Sequence, residues 1–163
     1  MKRNIQIVST GFLILFAIAA NVAGVTAQAD CDQNSIVGAW RGASGEGNGL
    51  VISFITGGNL ISSVQSEVTL SPRLSVLTPG HGVWTHLGGC QYGYTVVGLL
   101  YTIQTGKSTG YLKAKGVIGL NPNNMNVITG TDKVSIYDAA GNLVFEVPEG
   151  QTSLTRTVME PYN

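Results

Sequence analysis

The chain has 163 residues, of which 44% are apolar and only 11% charged, with nine basic residues matched by nine acidic ones and 22 glycines. Beyond Lys2-Arg3, lysines and arginines stand singly along it, so it has no basic stripe to track a phosphate backbone, and nucleic acid is set aside as a partner. The length fits one domain with a real core and fits two domains poorly.

Lys2 and Arg3 precede an apolar stretch from Gly11 to Ala20, and Ala27-Gln28-Ala29 supplies the small residues a signal peptidase accepts. The stretch is shorter than the roughly 20 residues a membrane-spanning helix needs. Residues 1–29 are therefore expected to be a cleaved export signal. Residues 30–163 then form the folded domain, secreted or periplasmic, with no stable membrane span. Cys31 and Cys90 remain in that oxidising setting, and a structural disulfide is the economical expectation.

From Ile36 onward, short β-branched and aromatic runs alternate with Gly, Asn, Pro and Ser, and no helical periodicity lasts beyond two turns. Strands are predicted at Ile36 to Arg41, Leu50 to Thr56, Leu60 to Leu70, Gly82 to Leu87 and Tyr92 to Thr105. Further strands are predicted at Gly110 to Leu120, Asn126 to Tyr137, Leu143 to Val147 and Thr152 to Val158. Thr56-Gly57-Gly58-Asn59, Asn121-Pro122-Asn123-Asn124 and Asp138 to Asn142 read as hairpin turns. The longest break, Ser71 to Gly80, reads either as a surface loop or as a lid over one barrel mouth. The fold class predicted is all-β, a single antiparallel up-and-down β-barrel of about eight strands.

Alternation assigns faces. Leu60, Val64, Val68, Leu112 and Ile118 fall on faces expected to point inward, and an unfilled space among them would be a ligand cavity. The run from Tyr92 to Ile103 is apolar on both faces, so something is expected to cover its outside, a homo-oligomeric contact being the favoured reading.

A closed barrel brings its first and last strands together. Trp40 near one end and Arg156 near the other could then stack, guanidinium over indole, to seal the floor. Gly38, Trp40 and Arg156 resemble the short signature of the calycin group, the lipocalin-like ligand-binding barrels. The stretch Thr78 to Trp84 also resembles a set of small exported bacterial proteins. The resemblance implies a barrel with a binding cavity, without fixing its chemistry.

Chemistry-bearing residues are few. His81 and His86 lie five apart on a strand, hence on opposite faces, and no cysteine pair or carboxylate cluster offers further ligands, so no metal and no cofactor are expected. Gly82, Trp84 and His86 share one face. If it points inward, Trp84 and His86 line the cavity, and Tyr94 and Tyr101 add phenols with an apolar body and a polar tip. The glycine-rich segment Arg41 to Gly49 leads into a strand rather than a helix, which argues against a phosphate loop. The expected function is binding of a small hydrophobic or amphipathic molecule, with Trp84, His86, Tyr94, Tyr101, Val64 and Val68 as ligand contacts. Two alternatives stand beside it: a cofactor-independent cyclase or isomerase working in the cavity, like allene oxide cyclase or dirigent barrels, and a structural or oligomerising module.

Overall fold

A computed structural model describes residues 31–44, 48–64, 67–70, 73–102 and 104–158. The expected export signal lies outside the described residues. The strands are β1 Gly38–Ser44, β2 Asn48–Ile55, β3 Asn59–Val64, β4 Glu67–Leu70, β5 Arg73–Leu77, β6 Gly80–Gly88, β7 Gln91–Thr102, β8 Ser108–Asn121, β9 Asn124–Asp138 and β10 Leu143–Arg156. No helix occurs among the described residues.

Each pairing is antiparallel, and β1, β2, β3, β6, β7, β8, β9 and β10 close into a ring when β10 returns to β1. β4 and β5 extend the β3–β6 hairpin past the ring's rim, with β5 continuing along the edge of β7 at Leu100 to Thr102. The chain is thus an up-and-down meander of eight strands, two of them broken. Neighbours in sequence are neighbours in space, because tight turns such as Thr56-Gly57-Gly58 leave no room for a crossover.

Three expectations are corrected. The Ser71 to Gly80 break is neither loop nor lid, since Arg73–Leu77 pairs with β4 and with the part of β7 that β6 leaves uncovered. Its flanking prolines mask a five-residue strand. The predicted Leu60 to Leu70 strand divides into β3 and β4. Conversely, the runs at Leu143 to Val147 and Thr152 to Val158 are one strand, β10. It carries Pro148 at a bulge, where pairing is to β9 alone because β1 has already ended opposite Thr152.

Large apolar side chains fill one end of the ring. Trp40, Phe54, Leu60, Tyr92, Ile118, Ile128 and Leu154 are all nearly inaccessible to solvent. The Trp84 ring meets Phe54 and Tyr92 edge-on, with centroids 6.1 and 6.0 Å apart.

The segment 31–37 runs across this end as a plug. Cys31 and Cys90 are bonded, the Tyr92 hydroxyl donates to Asp32 O at 2.7 Å, and Trp40 Nε1 donates to Ile36 O at 2.9 Å. Arg156 lies over the Trp40 ring at 4.2 Å while its two terminal nitrogens donate to Val37 O and Ser35 O at 2.8 and 2.7 Å. Gly38 gives the guanidinium its room: a Cβ there would stand 2.9 Å from Arg156 Nη1, and the φ of 138° suits glycine.

On β7, residues Tyr92, Tyr94, Val96 and Leu100 point inward and are buried, whereas outward-facing Val97 and Leu99 are exposed. Among the described residues nothing covers this outer apolar face.

Candidate functional site: a polar cluster inside the barrel

Three inward-facing polar side chains meet on the wall of β7 to β10. Tyr94 and Asp132 lie two strands apart, both in register with Gly116 on the intervening β8. A Cβ at Gly116 would stand 3.0 Å from Tyr94 Cε1. With no side chain in the way, the tyrosine ring reaches over β8 and its hydroxyl donates to Asp132 Oδ2 at 3.4 Å. Thr152, on β10, donates to the other carboxylate oxygen at 2.9 Å. Tyr94, Asp132 and Thr152 are 9%, 7% and 2% exposed.

The electrostatics follow from that burial. Desolvation, reinforced by the neighbouring Asp132 charge and hydrogen bond, pushes the Tyr94 phenol well above its ordinary ionisation range. It therefore stays a neutral hydrogen-bond donor at any physiological pH. Tyr94 and Thr152 each donate to a different oxygen of the Asp132 carboxylate.

Above the cluster the wall turns apolar. Val134 and Leu112 are partly buried against the core. Val147 and Phe145 pair with Val134 and Ile136, so they share the inner face where β10 rises past the end of β1. There Phe145 is 54% and Val147 38% exposed. The inner surface thus changes from a buried carboxylate to an accessible apolar wall within a few residues of β9 and β10.

Of the residues expected to touch a ligand, Tyr94 joins this cluster and Val64 faces inward, partly buried. Val68 lies on β4 opposite Ser75, and its side chain is outside what is described. The other three sit elsewhere. Trp84 is inward but held in the packed end, its indole N–H shared between Asn59 O and Ile55 O. His86 stacks on Tyr92 at 5.1 Å and bonds to Gly89 O at 2.7 Å, at the rim of the plugged floor. Tyr101 falls on the outer parity of β7. His81 is outward and exposed, and no group of three or more potential metal ligands occurs among the described residues.

Asp132 and Thr152 were legible but passed over. The inward parity of β9 reads Ile128, Gly130, Asp132, Val134, Ile136, so a carboxylate stands in an otherwise apolar row.

The chain matches no protein-family model, no curated protein and no solved structure at a significant level.

Proposed function

We propose that this protein is an exported, calycin-like binding protein for a small amphipathic molecule, taken into the barrel with its polar head at Asp132 and its apolar body along the upper wall. The observation that carries this reading is the buried Tyr94–Asp132–Thr152 cluster lying beneath the accessible Phe145 and Val147. A carboxylate favours a head that donates hydrogen bonds, a hydroxyl or an amine, over an anion. The Cys31–Cys90 bridge fits work in an oxidising compartment. Burial keeps Tyr94 a neutral donor, suited to holding the Asp132 carboxylate in place.

Isothermal titration with decanol and decylamine tests the reading. Wild-type protein is expected to bind both, and Asp132→Asn to bind them at least about tenfold more weakly, the size of one charge-assisted hydrogen bond. Phe145→Ser should weaken both probes while leaving the preference between them intact. Equal affinity in wild type and Asp132→Asn would remove the cluster as the recognition element.

A further inference from the structure

We infer a second binding site, on the outside of the barrel, for a single-chain anionic amphiphile. It is an open groove of about 580 Å³ across the outer faces of β6 to β9. Thr85, Gly93 and Val117 stand in one cross-strand row, and the Leu87 side chain leans over Gly93, its carbons 3.4 to 3.7 Å from where a Cβ would stand. Val83, Leu87 and Val117 give the groove an apolar floor, 59%, 53% and 46% exposed. Val83 and Leu87 are separated along β6 by about 13 Å at the ordinary strand rise, the reach of a medium-length acyl chain.

The adjoining row supplies the charge. Val83, Thr95, Lys115 and Lys133 are in register, so two ammonium groups stand directly opposite each other on the same face. Like charges so placed destabilise a sheet. Lys133 is bridged to Glu146 at 2.8 Å, whereas Lys115 has no ion pair among the described residues. Lys113 stands one row away, and Glu149 lies at the groove's far border. An anion on Lys115 relieves the repulsion, and the apolar row receives the chain attached to it. The interior cluster, built around a carboxylate, selects against the same head group. The two sites therefore take ligands of opposite character.

Titration of monomeric decanoate into wild type, Lys115→Glu, Gly93→Val and Phe145→Ser decides the matter. At Gly93 an added Cβ meets the flexible Leu87 side-chain carbons at 3.4 to 3.7 Å, so valine there displaces Leu87 and crowds the groove. Decanoate affinity is expected to fall at least tenfold in Lys115→Glu and in Gly93→Val, to weaken with added salt, and to be unchanged in Phe145→Ser, which lies outside the groove. Unfolding midpoints of the variants confirm that each has folded, and Lys115→Glu, at an exposed position, stands as the test should Gly93→Val fail. The inference is overturned if decanoate does not bind, if it binds the groove variants as well as wild type, if Phe145→Ser abolishes its binding, or if the protein binds only vesicles of anionic lipid and not the monomer.

Discussion

Arg156 combines two roles that a lysine cannot. Its planar fork donates to two carbonyls of the plug while its face lies on Trp40. Arg156→Ala should lower stability by about 3 kcal/mol, from a sheltered cation–π contact and two charge-assisted hydrogen bonds, as read by urea unfolding. Arg156→Lys should recover less than half of that loss. Tyr94 makes a second residue-scale prediction. In the fold it ionises above its ordinary value of 10, whereas in the unfolded chain it ionises near 10. Below pH 10 both states keep the proton and stability is intact. As pH rises further the unfolded chain loses the proton first, so stability falls towards the folded-state value. The alkaline decline in unfolding free energy should be shallower in Tyr94→Phe, and equal slopes for the two proteins would contradict this account.

Strands with clean alternation and glycine turns were the legible elements. The Thr56-Gly57-Gly58-Asn59 and Asp138 to Asn142 turns connect β2 to β3 and β9 to β10 as their residues predict. What escaped was context. Arg73–Leu77 is a strand because β7 overruns β6 and offers three residues of unpaired ladder, a fact of strand lengths set far away in sequence. Pro148 is tolerated inside β10 because, among the described residues, no strand pairs with its other edge at that level, which a reading of local propensity cannot know. The same limit hid the site. Asp132 sits in a readable inward row, but its meeting with Tyr94 depends on Gly116, a residue contributed by the strand between them. Gly116→Val should therefore be costly, because a Cβ there would stand 2.4 Å from Thr131 O as well as against Tyr94. Overpacking of this kind typically costs about 1–3 kcal/mol, seen as a lowered urea midpoint, and it should also abolish decanol binding by displacing the tyrosine.

At the scale of the molecule, the ring is asymmetric from end to end. One end is packed with aromatic and branched side chains beneath the 31–37 plug, and the other carries the polar cluster and the rising β9–β10 wall. The disulfide fixes that polarity, joining residues 59 apart in sequence. Replacing both cysteines by serine should lower unfolding free energy by about 4 kcal/mol, on the chain-entropy account, with the barrel still closed by β1 and β10. Measured losses much below 1 kcal/mol would mean that Arg156, Trp40 and Tyr92 hold the plug unaided. The plug shuts one end of the ring, so a molecule held as proposed would have to enter and leave by the other. Reductive cleavage of the Cys31–Cys90 bond would loosen the plugged end, so a change of redox surroundings would act on the proposed site from its far side.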